Sequence, residues 1–138
     1  MWVFTREGFF SVVWDKDCRG DELVVRSQCK EDICRLAKKL SGYCDENQIV
    51  PKEGRGYRYR IRIAKQAWSA YLADSALQVD YPSVKKNVVP ADDALRRDAY
   101  YQVWEALYRW REKIDAHEKE RPGREKSAGI RLPVRWKP

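Results

Sequence analysis

The chain reads as an α+β protein: a two-layer sandwich with a mostly antiparallel sheet and helices packed on one face, ferredoxin-like in style. Three features lead there. Residues 1–26 hold short apolar runs parted by turn residues, as strands joined by hairpins do. Residues 27–117 carry apolar residues at helical spacing, interrupted by the alternating run at 57–63. A length of 138 residues suits one core that buries roughly two-thirds of its unfolded surface without metal or disulfide staples. Residues 1–117 are assigned to this single domain and residues 118–138 to a basic C-terminal tail.

Trp2 to Thr5 is a short strand, Arg6-Glu7-Gly8 a turn, and Phe9 to Trp14 the return strand. The unbroken apolar character of that second strand predicts a central position, covered on both sides. Asp15 to Glu22 mixes charged residues and glycine without periodicity and forms a loop, after which Leu23 to Arg26 is a third strand with Arg26 facing outward. Ser27 is the expected N-cap of a helix in which Ile33, Leu36, Ala37 and Leu40 repeat at i, i+3, i+4 and i+7, ending at Gly42. Gln48 to Pro51 is a weak strand, Lys52 to Gly56 a turn, and residues 57–63 the second arm of that hairpin. Ala67, Trp68, Tyr71, Leu72 and Ala76 mark a second helix that stops before Asp80-Tyr81-Pro82, where Pro82 opens a short helical turn through Val88. Asp92 caps the third and longest helix, which runs to about Ala116.

Charge is unevenly distributed. The net +7 lies almost wholly in two places: residues 54–65, with five cations and no carboxylate, and residues 118–138, with seven cations against three carboxylates. The long segments 1–53 and 66–117 are balanced to within one charge each. A confined excess favours an anionic partner over a general effect on solubility. Within GRGYRYRIRIAK, Arg58, Arg60 and Arg62 alternate with Tyr57, Tyr59, Ile61 and Ile63. On a strand this places three guanidiniums on one face, with two tyrosines and two isoleucines on the other. Arginine's planar fork suits phosphate, so these three, with Arg55, Lys65 and Arg26, are the candidate nucleic-acid contacts. The tail repeats the pattern, Ile130, Leu132, Val134 and Trp136 alternating with Arg131, Pro133, Arg135 and Lys137, and adds Arg131, Arg135 and Lys137 on a short edge strand. The competing reading is a solvated sheet face whose arginines meet carboxylates of neighbouring elements. Were Trp2 or Phe4 to share the arginine face, bases could stack there.

Catalytic signatures are lacking. His117, the sole histidine, has no visible partner, and no G-x-S-x-G, phosphate-loop or dinucleotide fingerprint occurs. Asp92-Asp93 is explained by capping at a helix start. Cys18, Cys29, Cys34 and Cys44 are parted by ten, four and nine residues, which matches neither zinc ligation nor a redox dithiol. Reduced structural thiols are expected, with Cys18 and Cys44 the more exposed. No apolar run reaches the roughly 18 residues of a membrane span, and the start lacks a signal-peptide pattern, so a cytosolic protein without cofactor or catalytic residues is expected. In the long helix, Tyr100, Val103, Trp104 and Leu107 read as core. Tyr108 and Trp110, flanked by Arg109 and Arg111, read as interface anchors, as does Trp136.

MWVFTREGFFSVV, GYRYRIRI, DYPSVKKNV and AYYQVWEALYRW together resemble a group of small single-domain bacterial proteins of unassigned function. In that group an M-W-x-F-T-x-x-G-F start, an Asp-Tyr turn before Phe-Lys, and a Y-x-x-V-W-x-x-M-Y helix recur. The resemblance spans roughly residues 1–110, with Val84 where Phe is expected and Leu107 where Met is expected. It implies one α+β domain and carries no catalytic residue across. The expected function is non-enzymatic binding of nucleic acid or a ribonucleoprotein complex through the basic strand and tail. An alternative is a protein-interaction module that meets an acidic protein surface, in the manner of phage or mobile-element inhibitors of host nucleic-acid-processing defence (anti-CRISPR-like). A metal-dependent nuclease built from acidic residues is a third reading.

Overall fold

The computed structural model describes residues 1–120. Five strands, β1 (Trp2–Phe4), β2 (Phe9–Val13), β3 (Glu22–Ser27), β4 (Val50–Pro51) and β5 (Tyr59–Ala64), form one sheet in the order β1-β2-β3-β5-β4. Every pairing is antiparallel. The helices are α1 (Lys30–Lys39), α2 (Lys65–Leu77) and α3 (Ala94–Lys119). The chain divides into two compact units, Met1–Arg97 and the part from Asp98 onward. The α+β sandwich of antiparallel sheet and packed helices is the architecture found. Its likeness to ferredoxin-like folds lies in the two layers, since the strand order is a three-stranded meander extended by a hairpin.

Alternation in the strands determines which side chains face the helices. Phe10 and Val12 of β2, Val25 of β3 and Ile61 and Ile63 of β5 point to the same side and meet Ile33, Leu36, Ala37 and Leu40 of α1 with Trp68 and Tyr71 of α2. β2 lies between β1 and β3, the inner position that its apolar run predicts. β5 leads directly into α2, where the Lys65 N–H donates to the Asp21 carbonyl at 2.6 Å and so ties the helix start to the loop before β3.

The turn between β1 and β2 is closed by the Thr5 N–H donating to the Gly8 carbonyl at 2.9 Å. Gly8 has φ +151, and a Cβ there would stand 2.2 Å from Asp32 Cγ. Only glycine permits that approach. Asp32, 3% exposed, accepts the Phe9 N–H at 3.1 Å and an Arg35 guanidinium N–H at 2.6 Å, and pairs with Arg96 at the start of α3. Asp93 caps that start by accepting the Arg96 N–H at 3.0 Å, one residue after the predicted Asp92.

Several local expectations are corrected. Ser27 is the last residue of β3 and not the cap of α1, which follows Cys29. Its hydroxyl donates to the Phe9 carbonyl at 3.2 Å and accepts the Cys29 N–H at 3.2 Å. Cys44 is buried, packed after α1 with its thiol donating to the Leu40 carbonyl, whereas Cys18 is half-buried. The turn after Pro82 is a single π-helical turn, Val84–Val88. No residue of α3 is buried, so Trp104 and Leu107 are not core as their pattern predicts. No helix among the described residues is long and apolar enough to cross a membrane. The tail contacts predicted at Arg131, Arg135, Trp136 and Lys137, and their edge strand, lie outside the described residues.

Candidate nucleic-acid interface

With Val25, Ile61 and Ile63 turned to the helices, the intervening side chains of the same strands turn to the opposite face. Pairing then sets neighbours: Trp2 stands opposite Ser11, Ser11 opposite Arg26, and Arg26 opposite Arg60, with Val24 opposite Arg62 in the adjoining row. One row across β1, β2, β3 and β5 therefore reads Trp, Ser, Arg, Arg, each strand roughly 4.8 Å from the next. Arg58 and Arg62 are exposed, while Arg26 and Arg60 are half-buried.

Among the described residues none of Arg26, Arg58, Arg60 and Arg62 forms an ion pair. Arg26 donates to the Ser11 hydroxyl at 2.7 Å and its guanidinium lies 4.8 Å from the Tyr57 ring centroid, which holds the head group in place. The Nε atoms of Arg26 and Arg60 are shielded from solvent and have no hydrogen-bond partner among the described residues. Two like charges directly opposite on neighbouring strands repel, and shielded guanidinium donors are costly to leave unmet. Asp15 is the carboxylate whose field reaches this face. Desolvation, the largest single effect, pushes its carboxyl up, but hydrogen bonds from the Cys18 thiol and the Asp17 N–H, with attraction to Arg62 and Arg60, together outweigh it and hold the pKa below the ordinary value.

The same face carries aromatic rings. Phe9 packs edge-to-face with Trp2 at 5.6 Å and 88°, against Phe4 at 4.6 Å, and near Tyr57 at 6.3 Å. Tyr57 is a correction, since strict alternation assigns it to the side of Tyr59 and Ile61. Gly54 and Gly56 have φ values of +91 and +116, and β5 begins only at Tyr59, so the alternation does not extend back to residue 57. Its ring joins the arginines instead. Phe9, Ser11 and Tyr57 are thus site residues missed by sequence reasoning, and the paired glycines were the signal that the strand starts late.

Of the predicted contacts, Arg26, Arg60 and Arg62 are brought together, while Arg58 lies exposed in the bend before the strand. Arg55 sits in the exposed glycine turn at one end of β5. Lys65 is at the other end and is engaged, its Nζ donating to the Gly20 carbonyl at 2.8 Å. In the second unit, Tyr101, Trp104 and Tyr108 form a ladder with centroid spacings of 5.6 and 5.5 Å, closed by Arg111 5.1 Å from the Tyr108 centroid. Trp110, 62% exposed, stands two residues on from Tyr108 and so on the opposite side of the helix. The two predicted anchors do not share a face. No protein family, curated protein or solved structure matched the chain.

Proposed function

We propose that this protein binds nucleic acid, with Arg26, Arg60 and Arg62 on the outward face of the sheet, and Arg58 in the bend beside it, contacting backbone phosphates. The observation that carries the reading is the cross-strand Arg26 and Arg60 pair, whose shielded Nε atoms have no acceptor among the described residues. An anion laid across the pair removes the repulsion. Arg26 is already held by Ser11 and Tyr57, so little side-chain freedom remains to be lost on binding. The test is the salt dependence of binding to a DNA duplex. Replacing Arg58, Arg60 and Arg62 by Ala is expected to reduce the slope of log K against log salt by about 2.7, from about 0.9 per phosphate contact. An unchanged slope, or no binding of either a duplex or a single strand by the intact protein at low salt, refutes the proposal.

A second reading is a protein-interaction module acting on a host nucleic-acid-processing complex. It is supported by α3, which buries no residue and exposes Trp110 and Leu107. A defined partner retained after nuclease treatment, and released by Trp110→Ala but not by the triple arginine variant, favours this reading. Loss of all partners on nuclease treatment counts against it.

A further inference from the structure

Resting on the reading of the arginine face as a nucleic-acid surface, we infer that its polymer is single-stranded, with a base stacked on Trp2 while the phosphates follow the arginines. A duplex keeps its bases stacked inside and offers a protein only phosphates and groove edges. The major groove admits a helix or a two-stranded ribbon, and a sheet of five strands presented by its face is too broad to enter it. A single strand offers base faces and phosphates side by side, and the surfaces that hold one combine a cationic track with aromatic platforms.

The outward row supplies both parts. Trp2 is 66% exposed and belongs to the same register row as Ser11, Arg26 and Arg60. It lies about 14 Å from β5 at three strand spacings, so cations and ring are met in succession by a chain laid across the strands. Its ring meets Phe9 at 88°, an edge-to-face contact that pins the indole without a parallel ring. At least one indole face therefore carries no stacked neighbour among the described residues. Phe9 in turn leans on Phe4, so the platform is braced from below and does not have to be ordered at the moment of binding. Arg26 covers one side of Tyr57, and Trp2, at the β1 edge, is the more exposed ring of the row among the described residues. The polarity follows: the base contact lies at Trp2, and the backbone runs from there over Arg26 and Arg60.

The experiment compares a fluorescently labelled 20-nucleotide oligothymidylate with a hairpin duplex of similar phosphate number, by anisotropy at low salt. The intact full-length chain, Trp2→Ala, Trp2→Phe and the Arg58, Arg60 and Arg62 triple Ala variant are each titrated with both probes. The single strand is expected to bind at least about tenfold more tightly than the duplex. Trp2→Ala is expected to weaken single-strand binding about fivefold or more, the range that loss of one stacked base gives, and to leave duplex binding unchanged. Trp2→Phe is expected to retain most of the affinity, and the arginine variant to lose both probes. Equal binding of the two probes, with Trp2→Ala at intact affinity, overturns the single-strand inference and leaves the arginine reading standing. Binding of neither probe overturns both. Should Trp2→Ala fail to fold, Trp2→Leu, which keeps an apolar strand residue without a ring, makes the same comparison.

Discussion

Two clusters of charge in the first unit are handled in opposite ways. Around Asp32 a buried carboxylate is met by Arg35, Arg96 and the Phe9 N–H, and Arg96 is held again by Asp93. Across the sheet, Arg26 and Arg60 stand opposite each other, and neither forms an ion pair among the described residues. The protein thus neutralises charge where neutrality holds elements together: the Asp32 cluster joins the β1 and β2 turn, the start of α1 and the start of α3. It leaves charge unopposed where nothing in the described chain depends on it. Stability explains the first cluster and opposes the second, which is why the second is the candidate site.

The contrast can be broken most forcefully at Asp32. Asp32→Ala removes one partner of a buried ion-paired cluster and is expected to cost about 3–5 kcal/mol, read as a fall in the urea midpoint at constant slope. Asp32→Asn, which keeps an acceptor for the Phe9 N–H, is expected to cost less. A loss under about 1 kcal/mol for Asp32→Ala would show that the cluster is no brace. Gly8→Ala attacks the same cluster from the backbone, because its Cβ would overlap the Asp32 carboxyl at a φ of +151. More than about 1 kcal/mol of destabilisation is expected, and the loss should shrink in the Asp32→Ala background, where the carboxyl is gone.

A buried hydroxyl offers a smaller, pH-dependent test of the compensated side. Tyr71 donates to Glu7 at 2.7 Å and shares a hydrogen bond with Thr5, and burial, ahead of the nearby Glu7 charge, pushes its pKa well above the ordinary 10.0. A group raised on folding contributes stability that is present below its unfolded pKa and is lost as pH rises through and beyond it. The melting temperature is therefore expected to fall as pH passes 10.0. Cys29 and Cys44, also raised by burial, act in the same direction from 9.0, so the Tyr71 share is isolated by difference. Tyr71→Phe should start lower and decline less steeply; an identical decline would remove Tyr71 from the account.

Much of the architecture was legible because it rests on local periodicity. Ile33, Leu36, Ala37 and Leu40 announce a helix, and the alternation in residues 59–64 announces which side Ile61 and Ile63 take. What escaped is set by distant partners. Asp32 next to Ile33 looks like an ordinary first-turn acid, and its burial depends on Arg96, 64 positions away. Arg26 looks like any outward strand residue until the pairing of β3 with β5 sets it against Arg60. Tyr57 was misplaced because alternation was extended past the point where glycine φ values break it. In α3 the apolar positions are spread so widely around the helix that periodicity distinguishes no buried side.

The smallest expected effect is the most discriminating, because it runs against the usual sign. Most substitutions destabilise, yet Arg60→Gln removes one of two directly opposed like charges, keeps most of the aliphatic stem, and relieves a shielded donor that has no acceptor. A gain of about 0.2–1 kcal/mol is expected, a rise of up to about 4 °C in melting temperature for a domain of this size. The gain should shrink in 0.5 M salt, since screening weakens the repulsion in the intact protein as well. Arg26→Gln is the control: it relieves the same repulsion but forfeits the Ser11 hydrogen bond and the Tyr57 contact, so no such gain follows. If Arg60→Gln stabilises the fold and weakens polyanion binding together, the residue is retained against stability and for a ligand. If it destabilises the fold, Arg60 serves packing, and the distinction between the two charge clusters disappears.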